Sequence, residues 1–238
     1  MNTIITFGII ISLVLGISGF VASNNIIVGC VILALSIIYF LVIAKPMFSK
    51  YRIKINRFHL CYHFINSFIV SLSIRNSINS AFDSSYELMP EDFHKEIENI
   101  EALKLEEKFD VINKYFRFHA FSLFLNLINI YEENGGNILE MSRHLLEELR
   151  MTEEYISSCE SINKKKIMEF VILWILTLGI MVFMRFALSE FFHKMSSQLF
   201  YPIGIFVILF FCLITIHMAI SKMTKLKIKG WNDHEKIK

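Results

Sequence analysis

The sequence is poor in the residues that break or staple a chain: three prolines, nine glycines and four cysteines in 238 residues. Cys30, Cys61, Cys159 and Cys212 include no close pair, which excludes a disulfide scaffold and the paired spacing of a zinc site. Free thiols in a reducing compartment are the expectation. Residues 1–44 carry no Lys, Arg, Asp or Glu at all. The net charge is only +2 and the basic residues sit beside apolar runs, so no nucleic acid is expected as a partner. The signatures of catalysis are missing too. There is no glycine-rich phosphate loop and no Gly-x-Ser-x-Gly elbow, and the carboxylates are scattered. His59 and His63 are spaced to share a helix face, but His59-Leu60-Cys61-Tyr62-His63 lacks the glutamate of a helical metalloprotease and any third ligand. No enzyme, cofactor or metal is expected.

What is present is apolar length. The chain is 54% hydrophobic and 19% charged, with mean hydropathy +0.50. Soluble domains run at about 45–50% and 25%. Four runs, 4–21, 26–44, 167–188 and 200–220, are long enough for a ~30 Å hydrocarbon core at ~20 residues each. The expected fold class is all-α: a polytopic membrane protein with four transmembrane helices and a cytoplasmic helical bundle between spans two and three. The expected division is a hairpin at 1–44, a cytoplasmic domain at 45–166, a second hairpin at 167–220 and a basic tail at 221–238.

Lysine and arginine set the orientation. Lys45, Lys50, Arg52, Lys54 and Arg57 follow span two, Lys164, Lys165 and Lys166 precede span three, and Lys222, Lys225, Lys227 and Lys229 follow span four. The other side has Arg185 and Lys194. This places both termini and 45–166 in the cytoplasm of a plasma (inner) membrane protein. The start Met-Asn-Thr lacks the positive region of a signal peptide, so span one is read as retained. Gly8, Ser12 and Gly16 lie four apart, a spacing that lets helices approach closely, either within the hairpin or across a dimer seam. No carboxylate lies at a span centre, which argues against an ion-coupled transporter. Glu169 and Arg185 sit near span ends, where both can snorkel.

Segment 45–166 holds 16 of the 24 basic and 18 of the 22 acidic residues. It shows helical spacing rather than alternation: Cys61, Phe64, Phe68 and Leu72; Phe109, Ile112 and Phe116; Ile138, Met141, Leu145 and Leu149. A bundle of five or six helices is expected. Pro90 with Glu91 and Asp92 suits a helix start. Asn134-Gly135-Gly136-Asn137 is the sharpest break. A left-handed glycine closes one helix, and Asn137 caps the next with Glu140 three residues on. That helix is expected to lead through Lys164–Lys166 into span three. From Asp83 to Asp110, ten acidic residues face three lysines, a net of −7. This is either a solvated helix face or a docking surface for a basic partner, with Glu96, Glu98, Glu101, Glu106 and Glu107 as candidate contacts.

The layout and one motif resemble a family. Asn134-Gly135-Gly136-Asn137-Ile138-Leu139-Glu140, followed by Leu145, Leu146, Glu148, Leu149 and Arg150, is similar to the Gly-Gly-x-Leu turn and leucine–arginine helix of type II secretion F-domain proteins. Phe64-Ile65-Asn66 through Ser71-Leu72-Ser73-Ile74-Arg75 to Ile78 and Ala81 resembles the family's opening helix pair, with its turn at Ser71–Ser73. Span pair, helical domain, span pair is the plan of the single-domain platform proteins of Tad-type pili. The resemblance covers roughly residues 57–190. It implies a platform that couples a cytoplasmic secretion or pilus ATPase to pilin assembly. The implied partners are that ATPase, pilin subunits, a second platform protein or further copies of the chain, and the lipid bilayer. The rival from the residues alone is a membrane-anchored sensor signalling through its helical domain. Outer loops of about four and eleven residues leave it little to sense with outside the bilayer.

Overall fold

The structure is a computed structural model that describes residues 2–97, 100–198 and 200–224. Among these residues it is helical, with no strand. The elements are α1 (Asn2–Ser23), α2 (Ile26–Tyr39), a π-helical turn (Phe40–Ala44), α3 (Lys45–Arg75), α4 (Ile78–Glu87), α5 (Glu91–Glu96), a 3-10 turn (Ile100–Ala102), α6 (Leu105–Phe116), α7 (His119–Asn134), α8 (Ile138–Ala187), α9 (Ser189–Ser196) and α10 (Phe200–Thr224). Three helical runs are long and apolar enough to cross a membrane: Ile26–Arg75, Ile138–Ala187 and Phe200–Thr224. Gly8–Ser23 is a shorter apolar helix. Two compact units divide the chain. One holds residues up to Arg52 and from Glu160 to Thr224, the other Ile53–Cys159.

The apolar unit is built on the α1–α2 hairpin and α10. Asn24 takes the left-handed conformation at φ 51°, and the Asn25 side-chain carbonyl caps α2 by accepting from Ile27 N–H at 2.9 Å. The Gly8–Ser12–Gly16 face is occupied within the chain. A Cβ on Gly8 would lie 3.0 Å from the Phe40 ring, and one on Gly16 2.8 Å from Leu33 Cβ. Ser12 is buried and donates to Gly8 O at 2.8 Å, so its hydroxyl is satisfied in an apolar setting. The α10 stripe Ile205, Leu209, Leu213, Ile216 and Ile220 recurs every three to four residues and packs with Leu15, Ala22, Ile32, Phe40 and Ala44.

Proline explains the π-turn. Pro46 has no N–H, and its ring clashes with the carbonyl four residues back in a regular α-helix. The backbone widens just before it, where Lys45 N–H reaches Phe40 O, five residues away. The helix thereby continues through the proline, and Ile26–Arg75 runs unbroken for 50 residues.

The other unit is a bundle with a phenylalanine core. Phe64 lies 5.8 Å from Phe82, 6.0 Å from Phe121, 6.1 Å from Phe116 and 6.2 Å from Phe68 between ring centroids. Phe68 meets Phe124 edge-on at 5.1 Å. Such spacings suit the ring quadrupoles. The expected stripes on α3 and α6 are the buried ones. On α8 the inward line is Ile138, Ser142, Leu145, Leu149 and Ile156. Met141 is half-buried, displaced by the small Ser142, whose hydroxyl donates to Leu139 O at 3.3 Å.

The expected turn at Ser71–Ser73 does not form. Those residues are helical, and the break falls at Asn76, φ 51°, with Ser77 capping α4. Asn76 tolerates the left-handed conformation that a chain reversal needs without glycine.

The Asn134–Asn137 turn is glycine-dependent in a stricter sense than a left-handed cap. Gly135 closes α7 with its N–H on Tyr131 O at 2.8 Å, at φ 66° and ψ −161°. That region is accessible essentially to glycine alone. Gly136 follows at φ 118°. The Asn134 amide donates to Ile130 O at 3.2 Å, and Asn137 Oδ1 caps α8 by accepting from Leu139 N–H at 3.1 Å. Glu140 is exposed in the first turn of α8, and among the described residues no bond returns from its carboxylate to Asn137 N–H. Nothing lies within 4 Å of a Cβ built on Gly135. Gly135→Ala is therefore expected to destabilise through backbone strain alone, by about 1–3 kcal/mol. Thermal denaturation followed by circular dichroism measures it, and an unchanged midpoint would refute the assignment.

Candidate functional site

The acidic surface is carried by α4, α5 and α6, each fixed by aromatic anchors. α4 turns Ala81 and Phe82 inward and leaves Asp83 and Glu87 exposed. α5 starts at Glu91 after Pro90, whose fixed φ suits a helix start. It is held by the buried Phe93, 5.1 Å from Tyr115 and 5.7 Å from Phe116. α6 buries Phe109, Ile112 and Phe116 and exposes Glu106 and Asp110, one turn apart.

The proposed contacts divide by what they touch. Glu96 lies 3.7 Å from Arg57 Nη2, and the Arg57 guanidinium stacks 4.6 Å over the Tyr115 ring. This triad joins α5 to α3 and α6. Burial, with help from the Glu96 charge, pushes the Tyr115 hydroxyl up to about 12 against the opposing pull of Arg57. Glu107 accepts from Lys104 N–H at 3.2 Å and so closes the start of α6. Glu98 and the side chain of Glu101 lie outside the described residues. Glu106 is exposed. Asp83 pairs with Lys108 at 3.9 Å and Glu91 with Lys95 at 3.4 Å. Among the described residues, Glu87, Asp92, Glu106 and Asp110 are exposed and make no ion pair. They form the part of the acidic surface that is open to a partner.

Sequence spacing missed the role of Arg57. It is one of five basic residues after span two, and only the tertiary approach of α5 to α3 selects it. His59 lies 3.7 Å from Glu153 on α8, and the exposed His63 tilts against the Tyr62 ring. Arg150 bonds Glu147 at 2.9 Å, which lowers the Glu147 pKa from its usual value. Cys61 is fully buried, and burial pushes its thiol up, away from the reactive thiolate. No group of three His, Cys, Asp or Glu placed to hold a metal occurs among the described residues.

Within the apolar unit, Arg185 is not splayed toward a surface. Its guanidinium donates to Val21 O at 2.7 Å and Asn24 Oδ1 at 3.1 Å. Tyr201 donates to Ala22 O at 3.0 Å. Two side chains from α8 and α10 thus satisfy the last carbonyls of α1, where the helix dipole favours a cation.

Family models, curated proteins and solved structures give no match to this chain.

Proposed function

We propose that this chain is a plasma-membrane platform protein of a type IV-like (Tad) pilus or type II secretion machine, coupling a cytoplasmic ATPase to the assembly of pilin subunits. The observation that carries the reading is α8. One uninterrupted helix of 50 residues has a bundle-forming half, with Leu145, Leu149 and Ile156 buried, and an apolar half long enough to cross a membrane. The run Ile26–Arg75 has the same two-part character in reverse order. On this reading α8 joins the bundle half to the apolar half with no loop between them. On this reading α1, α2, the apolar half of α8 and α10 are the four spans, with the bundle on the cytoplasmic side. The glycine turn Asn134–Asn137 gives α8 a fixed starting point.

The open acidic group is the docking site for the ATPase on this reading. Glu96 is the wrong residue to probe, because reversing it also breaks the Arg57–Tyr115 triad. The triple change Glu87→Lys, Glu106→Lys and Asp110→Lys touches only exposed carboxylates. It is expected to weaken co-purification of the ATPase by about tenfold, given ~0.2–1 kcal/mol per exposed charge pair. Unchanged binding removes the docking assignment. The platform reading itself falls if cysteine crosslinking along α1 yields no pilin adduct and the full-length protein retains no secretion-class ATPase.

A further inference from the structure

We propose that α9 is an interfacial amphipathic helix that binds the lipid of the leaflet at the Arg185 end of the apolar unit, rather than a loop in water. The inference rests on the proposal that α8 and α10 span a membrane. Its warrant is the eight-residue sequence Ser189-Glu190-Phe191-Phe192-His193-Lys194-Met195-Ser196. At 100° per residue, Glu190, His193 and Lys194 fall in one sector, and Phe191, Phe192 and Met195 in the opposite one. Glu190, His193 and Lys194 are all exposed. The protein covers only part of the apolar sector. Phe192 is 5% exposed, edge-on to Tyr201 at 5.9 Å and beneath the Arg185 guanidinium at 5.7 Å. Phe191 is 54% exposed.

The uncovered part continues the apolar lengths on either side of it. Phe186 at the end of α8 is 74% exposed, Leu188 is 47% exposed, and Phe200 at the start of α10 is 79% exposed. Arranged around a short helix in water, these groups form an aggregation-prone surface. At the edge of a bilayer they form the apolar side of an interfacial helix whose charged side stays wet. Phe192 and Arg185 fix α9 to the unit that carries the apolar helices, so its apolar sector cannot roll inward to bury Phe191. The occupant of the face is therefore the same solvent that faces α8 and α10.

Tryptophan fluorescence tests this in the full-length protein reconstituted in phosphatidylcholine vesicles. Trp174→Phe and Trp231→Phe supply the background, and Phe191→Trp, Lys194→Trp or Ile175→Trp the single probe. Lipids brominated near the glycerol end are expected to quench Phe191→Trp at least about twofold more than Lys194→Trp, with aqueous iodide showing the reverse order. Phe186→Trp reads the same face if Phe191→Trp does not fold. Ile175→Trp is expected to be quenched best by bromines near the chain ends. If Ile175→Trp is quenched and Phe191→Trp and Phe186→Trp respond only to iodide, α9 lies in water and the inference is overturned while the spanning reading stands. If none of the probes is quenched by brominated lipid, the spanning reading falls with it.

Discussion

Replacing Phe64 by alanine is expected to remove about 3–5 kcal/mol from the bundle, a large share of the about 5–15 kcal/mol that small domains hold in all. Phe64 is completely buried on α3 and touches rings from three other elements: Phe82 on α4, Phe116 on α6 and Phe121 on α7. Its loss leaves a cavity that the four surrounding aromatics cannot fill by a simple rotamer change, since each is pinned by a further ring. Phe68, for instance, is also held by Phe109 and Phe124. Phe64→Leu keeps most of the volume and is expected to lose less than half as much. The apolar helices do not depend on this side chain, so Phe64→Ala should still fractionate with membranes while the bundle becomes sensitive to protease. Limited proteolysis of membrane fractions reads both. A bundle that stays resistant in Phe64→Ala at the wild-type level would contradict the packing described here.

Most of the helices were legible in the sequence because their signals are local. Phe64, Phe68 and Leu72 recur at helical spacing, and the break at Gly135 and Gly136 needs no tertiary information. The misses share a cause. The Ser142 line displaced Met141 because a small hydroxyl residue scores as surface in a hydrophobic pattern, although it can satisfy itself on Leu139 O and pack closely. The π-turn follows from Pro46 only once the helix is known to continue on both sides of it. The turn at Asn76 replaced one expected at Ser71–Ser73 because the core contact of Leu72 holds the helix through that point. At the candidate site, ten acidic residues read as one patch. Which of them remain open depends largely on Arg57 and Lys108, which arrive from other segments. Spacing along one helix carries no trace of such encounters.

Gly29→Leu is expected to cost about 3 kcal/mol of the α1–α2 hairpin, the upper end of the usual range for overpacking. A Cβ on Gly29 would stand 3.0 Å from Gly16 O, 3.0 Å from Phe20 Cβ and 3.2 Å from Phe20 N. Two of those atoms are backbone, which no rotamer change can move, so α1 has to withdraw as a body. Gly16 is obstructed in the same way. Its Cβ would meet Leu33 Cβ at 2.8 Å, closer still, and a Cβ does not move with the rotamer, so Gly16→Ala should cost at least as much as Gly29→Ala. Gly179 and Gly204 have nothing within 4 Å, and alanine there should be neutral or stabilise by up to ~1 kcal/mol through helix propensity. The consequence of moving α1 reaches its far end. Val21 O and Ala22 O are held by Arg185 and Tyr201, and these bonds cannot lengthen without leaving carbonyls unpaired. Loss at Gly29 should therefore couple to Arg185→Gln, with the double variant less destabilised than the sum of the two singles. Unfolding free energies in mixed micelles titrated with sodium dodecyl sulfate measure all four corners of that cycle. Equal losses for Gly29→Leu and Gly179→Leu would show that the small-residue face of α1 packs on something other than α2.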